Sequence, residues 1–288
     1  VEPLFMIQNK NTFTIKDHAV SGESFVLQEN SQYGFLETTP QPNEEVLGDY
    51  YNSIDYISHT DSSRNFFEKS YQYVRKIALR RKLTLINLLP VEGRCLLDVG
   101  CGTGDFLQLA NKHNWCVNGV EPNTDARAIA NEKTNNAVYH IEQLDYYSPQ
   151  SFDVISLWHV LEHVPNLNSY ILRLHKLLKD NGRLVVAVPN YKSYDASYYK
   201  SYWAGFDVPR HLWHFDQNSM SKLFNDNNMR LEAITPMKFD AFYVSLLSEK
   251  YKTGKMNYLR ALYVGLLSNF KANRTKEFSS LIYIIRKA

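Results

Sequence analysis

The residues best suited to hold a small ligand fall in one short run, Asp98-Val99-Gly100-Cys101-Gly102-Thr103-Gly104-Asp105. An apolar stretch, Cys95–Val99, leads into three glycines and then into a helical pattern, so the run reads as a strand, a tight turn and a helix start. Glycine serves in such a turn because a side chain would block close approach of the backbone to a ligand, or because φ is positive. Open α/β sheets bind ligands beyond the carboxyl ends of their strands, which is where this turn falls. The spacing is GxGxG, and Asp105 stands where the dinucleotide fingerprint GxGxxG has its last glycine. An acid at a helix start repels a pyrophosphate, so the turn suits a ligand without phosphate. Glu121 follows the next apolar run, Cys116–Val120. It lies 23 residues after Asp98, near the roughly 20-residue offset of an acid that accepts from ribose hydroxyls. A ribose without phosphate, with an acid at the loop for a positive group, describes S-adenosylmethionine.

Two other segments carry side chains that can move a proton. His159-Val160-Leu161-Glu162-His163 matches HxxEH, a zinc-peptidase pattern. That chemistry needs two histidines facing one metal from a helix. Here His159 closes an apolar strand pattern, and Pro165 interrupts any helix two residues after His163, so no metal is expected. A metal-assisted reaction in which Glu162 and His163 position a catechol-like oxygen is the alternative. The second segment, Asp207-Val208-Pro209-Arg210-His211-Leu212-Trp213-His214-Phe215, follows a stretch with five tyrosines between Tyr191 and Tyr202. His163, His211 and His214 are candidate general bases, because imidazole titrates near neutrality. Arg210 is a candidate to hold an anionic substrate. Bracing of the segment by the same side chains is the competing reading.

The elements that must position these groups are legible as alternating apolar runs and amphipathic segments. Strands are expected at Cys95–Val99, Cys116–Val120, Val138–Ile141, Phe152–Trp158 and Arg183–Val188, and later near Leu231–Ile234 and Leu281–Ile285. Helices are expected at Phe106–Lys112, Asp125–Lys133 and Leu167–Leu178, with one or two more over 240–271. This alternation predicts βαβ units and a parallel sheet. Residues 12–39 alternate apolar and polar around Ser21-Gly22-Glu23 and predict a β-ribbon. Ser63 to Leu89 has helical spacing and a basic cluster from Arg75 to Lys82.

Composition bounds the rest. A chain of 288 residues, 44% hydrophobic, allows one or two domains. Three cysteines without a CxxC pair exclude a disulfide scaffold. Residues 1–20 carry no signal-peptide pattern and no apolar run is long enough to span a bilayer, so the expected compartment is the cytoplasm. The net charge of +2 lacks the footprint of a nucleic-acid partner. It hides an asymmetry: ten acids stand against Lys10 and Lys16 in residues 1–62, leaving the remainder with a surplus of ten positive charges.

Four motifs in order give the chain a family resemblance over about residues 90–235. They are Leu96–Gly104, Gly119-Val120-Glu121-Pro122, the stretch from Phe152 to Val164, and Leu177-Leu178-Lys179-Asp180-Asn181-Gly182-Arg183-Leu184. Together they resemble class I S-adenosylmethionine-dependent methyltransferases, in particular the ubiquinone-biosynthesis O-methyltransferase group. The resemblance implies a Rossmann-like, doubly wound α/β fold with seven strands, mostly parallel with an antiparallel late strand. It implies that Asp98, Gly100, Gly102 and Gly104 contact the methionine end of S-adenosylmethionine, and that Glu121 and Pro122 lie at the ribose. Gln143 and Leu144 would flank the adenine, with Trp158 and His159 beside the cofactor. Pro209-Arg210-His211-Leu212-Trp213-His214-Phe215 resembles a PRHLxHF motif in loops that cover the methyl acceptor of some members. Relatives often begin with a zinc ribbon, whereas Asn30-Ser31-Gln32-Tyr33-Gly34-Phe35 has no thiols, which implies a metal-free ribbon.

The domain reading is therefore a ribbon and lid over 1–62, a linker helix over 63–90, and a methyltransferase domain over 91–288 carrying a cap segment, 191–215, and helices over 240–271. The expected activity is methyl transfer to an oxygen or nitrogen of a small-molecule acceptor. The alternatives are a cofactor-binding regulatory or scaffold protein without transfer, and a nucleic-acid methyltransferase.

Overall fold

The structure is a computed structural model that describes residues 12–43, 50 and 66–288. The stretch Tyr51–His59, read as part of a lid, lies outside the described residues, as do the acids Glu2, Glu44, Glu45, Asp49, Asp55 and Asp61. The chain divides into two compact units, one of residues 62–187, 223–235 and 282–288, the other of residues 1–61, 188–222 and 236–281.

The first unit is built on a long helix, α1 (Phe66–Asn87), and on alternating strands and helices. These are β4 (Cys95–Val99), α2 (Asp105–Asn111), β5 (Cys116–Val120), α3 (Thr124–Thr134), β6 (Val138–Tyr139), β7 (Phe152–Trp158), α4 (Leu167–Leu177) and β8 (Leu178–Pro189). Late in the chain, α6 (Gln217–Asp226) precedes β10 (Met229–Pro236), and β11 (Ser280–Lys287) completes a seven-stranded sheet of order β10-β11-β8-β7-β4-β5-β6. The strands β8, β7, β4, β5 and β6 run parallel, with one antiparallel late strand, as a Rossmann-like doubly wound sheet requires. Leu96, Leu97, Val99, Val154, Ile155, Leu157 and Val185 are fully buried because helices cover both faces of a parallel sheet. On α4 the buried side chains are Leu167, Ile171, Leu174 and Leu177, the apolar stripe of an amphipathic helix. The register sets Asp98 between Gly119 of β5 and Ser156 of β7, at the carboxyl end of the central strand.

Two boundaries differ from the sequence reading for local reasons. The strand expected at Val138–Ile141 stops at Tyr139, and Ile141–Asp145 forms a 3₁₀ turn. The Asn131 side chain takes up both the N–H and the C=O of Val138 at 2.9 Å, completing the edge strand's hydrogen bonds in place of another strand. The strand expected at Arg183 begins at Leu178, and the Gly182 turn is absorbed as a bulge between the pairs Phe152–Leu178 and Val154–Arg183.

The second unit holds a four-stranded antiparallel sheet of β1 (Thr12–Lys16), β2 (Ser24–Glu29), β3 (Leu36–Thr39) and β9 (Trp213–His214). Ile15, Phe25, Leu27, Leu36 and Val208 form its core. At the β2–β3 turn, Asn30 Oδ1 accepts from Gln32 and Tyr33 N–H groups at 3.0 and 2.8 Å, and Tyr33 stacks on Phe35. The expected helical stretch over 240–271 consists of two helices, α7 (Asp240–Thr253) and α8 (Tyr258–Thr275), while the tyrosine-rich stretch supplies α5 (Tyr194–Tyr199). Asp195 is fully buried and accepts from Trp203 Nε1 at 2.8 Å, Ser268 Oγ at 2.6 Å and Ser279 Oγ at 2.7 Å, which fixes α5 against α8 and the start of β11.

Candidate functional site

The glycine turn between β4 and α2 adopts the conformation its sequence demands. Gly100, Gly102 and Gly104 have φ of 66°, 56° and 75°, a region that other residues enter only at a cost. Their surroundings differ. A Cβ on Gly100 would meet Val160 at 2.6 Å and one on Gly104 would meet Ala130 at 2.8 Å, whereas one on Gly102 meets no protein atom within 4 Å. Gly100 and Gly104 are glycines because the fold closes on them; Gly102 faces open space that a ligand can fill.

Glu121 reaches back to this turn from the end of β5. Its Oε2 accepts from the Gly102 N–H at 2.9 Å and its Oε1 from the Asn123 N–H at 3.0 Å, and it is 7% exposed. Each oxygen keeps one further acceptor position. Asp98 lies beneath the turn, 2% exposed, accepting from Ser156 Oγ at 2.6 Å. Burial raises its pKa to about 7, opposed by the Ser156 hydrogen bond and by Lys82 and reinforced by Glu121. The Cys101 thiol is likewise pushed up, first by burial and then by the carboxylates of Asp98 and Glu121. The turn is thus electronegative and donor-poor, which favours a cation and disfavours a phosphate.

Asp105 departs from the sequence reading. Its carboxylate pairs with Arg75 from α1 and with Lys133 Nζ at 2.7 Å from α3, so it is committed to tying three helices together rather than presented to a positive ligand. These contacts join residues 28 and 30 positions away in sequence, and spacing alone does not reveal them.

The other residues singled out in this unit border the same sheet edge. Pro122 is exposed at the end of β5, and Arg127 Nη1 donates to the Glu121 and Pro122 carbonyls at 2.7 and 3.0 Å. Gln143 and the buried Leu144 lie in the 3₁₀ turn after β6. Trp158 ends β7, its ring 5.7 Å from Phe106 and 4.3 Å from Lys82 Nζ. His159 follows with φ 58°, its Nδ1 3.3 Å from Oε1 of the fully buried Glu162. His163 closes the next turn and is half-buried. Sequence reasoning missed Lys82, which it placed only in a basic cluster, and Tyr147. The buried Tyr147 hydroxyl and Trp158 Nε1 have no protein partner among the described residues.

In the second unit, His211, His214 and Arg210 are all buried. Arg210 pairs with Asp207, with Nε to Oδ2 at 2.9 Å, and donates from Nη1 to the Tyr50 carbonyl at 3.0 Å. The Thr38 hydroxyl donates to the His211 carbonyl at 2.6 Å and lies 2.9 Å from His214 Nε2. With its one proton spent on that carbonyl, Thr38 Oγ1 must accept, so His214 is the Nε2–H tautomer. Burial, then His211, holds the His214 pKa well below the usual imidazole range. His211 Nδ1 lies 3.0 Å from the Gly205 carbonyl, which only accepts, so Nδ1 carries a proton, and Nε2 lies 3.8 Å from Asp207 Oδ2.

A Rossmann-like sheet with a three-glycine turn, a buried acid beneath it and a second acid pinned to its backbone defines a class I S-adenosylmethionine-dependent methyltransferase fold. Comparison with known proteins agrees. A family profile described as "Methyltransferase domain" matches residues 70–234, more than half of the chain, and the chain belongs to that family, whose cofactor is S-adenosylmethionine. A ubiquinone biosynthesis O-methyltransferase of Coxiella burnetii (strain Dugway 5J108-111) is 30% identical over 114 residues, 37% of this chain and 49% of the relative. One from Bradyrhizobium diazoefficiens is 27% identical over 182 residues, 59% of this chain and 72% of the relative. The chain thus spans about half the length of the former and nearly three quarters of the latter. The solved geranyl diphosphate C-methyltransferase of Streptomyces coelicolor A3(2), in complex with S-adenosyl-L-homocysteine, superposes with a TM-score of 0.57 at 14% identity, covering 85% of this chain and 98% of that one.

Proposed function

We propose that the chain transfers a methyl group from S-adenosylmethionine to an oxygen or nitrogen of a small-molecule acceptor. The observation that carries this reading is the pinned Glu121 carboxylate beside the open face of Gly102. Glu121, with Pro122, would hold the ribose, and Asp98 with the three glycines the methionine end. Gln143 and Leu144 would flank the adenine, with Trp158 and His159 alongside. When bound there, S-adenosylmethionine supplies an electrophilic methyl on a sulfonium.

The protein's own contribution is alignment and proton removal. Methyl transfer is an in-line displacement, so fixing the nucleophile and excluding water accounts for much of the acceleration. The acceptor's proton goes to a histidine held in one tautomer. His211, with Nδ1 bound to a carbonyl and Nε2 beside Asp207, is the first candidate for the general base, and His163 is the second. His214, neutral and donating to Thr38, supports the segment that carries His211. Arg210, anchored by Asp207, would orient an anionic group on the acceptor within the histidine- and tyrosine-rich segment.

The direct test is incubation of the full chain with methyl-labelled S-adenosylmethionine and a panel of phenols, carboxylates and amines. Label in a small-molecule product, lost in Glu121→Ala and slowed in His211→Ala or His163→Ala, supports the reading. Tight cofactor binding without transfer to any member makes the chain a binding module instead.

A further inference from the structure

Helix α8 is turned inside out relative to an ordinary surface helix. Its buried positions are the small residues Ala261, Val264, Gly265, Ser268 and Ala272. Its large apolar side chains face solvent: Leu259 is 83% exposed, Phe270 70%, Tyr263 63% and Leu266 55%, with Leu262 beside them. At 100° per residue these five side chains fall within roughly 100° of the helix circumference, forming one continuous stripe. Gly265 explains the buried face, since a Cβ there would lie 2.5 Å from Phe242 of α7; α8 comes this close to α7 through a glycine. Packing on α7 therefore consumes none of the large apolar groups. A stripe of this kind marks a surface that meets something apolar.

Charge identifies what that is. From Lys250 to Lys276 the chain carries Lys250, Lys252, Lys255, Arg260, Lys271, Arg274 and Lys276, and not one Asp or Glu. All but Lys250 are exposed. A second copy of the chain meeting this surface about a two-fold axis would set one basic rim against another. A nucleic acid would satisfy the cations and leave the leucines and Phe270 in water. An anionic bilayer satisfies both, with the apolar stripe at the acyl boundary, tyrosines at the headgroup level and cations on the lipid charges.

We infer that α8 and its basic flanks form a peripheral docking surface for anionic lipid bilayers, with the helix lying in the plane of the interface. No helix among the described residues is long and apolar enough to cross a membrane, so the contact is one of adsorption. The inference stands independently of the methyl-transfer reading, because its observations and its test involve neither cofactor nor acceptor.

The test is co-sedimentation of the full chain with vesicles of phosphatidylcholine containing roughly a third phosphatidylglycerol, against vesicles of phosphatidylcholine alone. The wild type should pellet with the anionic vesicles only, and less as salt rises. Leu259→Asp with Phe270→Asp, at two exposed positions, should reduce the bound fraction roughly tenfold while the thermal melt is unchanged. Lys255→Glu with Arg260→Glu should weaken binding and flatten its salt dependence. Absence of wild-type binding, or equal binding by the Leu259/Phe270 variant, overturns the inference. So does self-association in analytical ultracentrifugation that the apolar variant abolishes while no form binds vesicles.

Discussion

Replacing Glu121 with Gln tests the proposed ribose site with almost no change in shape. In the wild type, Oε1 and Oε2 each accept one backbone N–H, from Asn123 at 3.0 Å and from Gly102 at 2.9 Å. In Gln one of those atoms becomes an amide nitrogen facing an N–H, so one buried donor loses its acceptor, at about 1–3 kcal/mol. That cost falls on the fold whether or not cofactor is bound. The binding cost is separate. Two charge-assisted bonds to a ribose diol are worth roughly 1.5–3 kcal/mol each, and Gln retains one, uncharged, so binding should lose about 2–3 kcal/mol. At 1.4 kcal/mol per decade this is a roughly 30- to 150-fold rise in Kd. Isothermal titration of S-adenosylmethionine into wild type and variant measures it, with a thermal melt to separate folding from binding. Glu121→Ala should bind more weakly still and melt lower. A folded Gln variant whose Kd stays within about threefold of the wild type refutes the assignment.

The turn glycines should separate by role. Gly104→Ala adds left-handed strain and a clash with Ala130, and should cost roughly 2–4 kcal/mol in chemical denaturation, whereas Gly102→Ala should cost about 1–2 kcal/mol and mainly weaken cofactor binding; equal effects in both assays would contradict the open-face argument. Asp98, with its pKa raised to about 7, is protonated below that pH, and a cation beside it favours the ionised form. Cofactor affinity should therefore rise with pH up to about 7 and then level, while the cofactor-free fold loses stability from the ordinary carboxylate range up to about 7, where the unfolded chain's carboxyl ionises and the buried one keeps its proton. Titrations across pH should show both trends, and Asp98→Asn should remove them; a flat profile in the wild type excludes a cation at Asp98. His214→Ala should lower the melting temperature through loss of the Thr38 contact, whereas His211→Ala should slow transfer with little effect on cofactor affinity; the reverse pattern in melting and steady-state assays would exchange their roles.

What the sequence displayed and what it hid divide along contact distance. Strand, glycine turn and helix were visible because each depends on neighbours within a few residues, and Glu121 was visible because the second strand of such a unit has a nearly fixed length. The partners of these groups were not. Thr38 meets His214 across 176 positions, and pairing of β9 with β3 has no local signature in a two-residue strand. Lys82 was visible as a charge but not as the cation beside Trp158, because direction on a 22-residue helix depends on the packing of its other faces. The exposed face of α8 was hidden for the opposite reason. Apolar spacing there reads as core, and only the close seat of Gly265 on Phe242 and the burial of Ala261, Ser268 and Ala272 show that the small residues lie inside.

The three acids at the turn show how the fold can place negative charge at a ligand site without being repelled by it. Asp105 is neutralised by two cations and serves packing. Glu121 is held by two N–H dipoles, which favour a carboxylate while leaving it able to accept from a neutral diol. Asp98 alone is left in a dry position, where its charge is costly enough to raise its pKa to about 7 and where a hydroxyl, a lysine and a second acid pull in different directions. A phosphate would aggravate that imbalance, and a neutral ligand would leave it. An ammonium or sulfonium relieves it, and under the proposed function the methionine end of S-adenosylmethionine is the cation that does so.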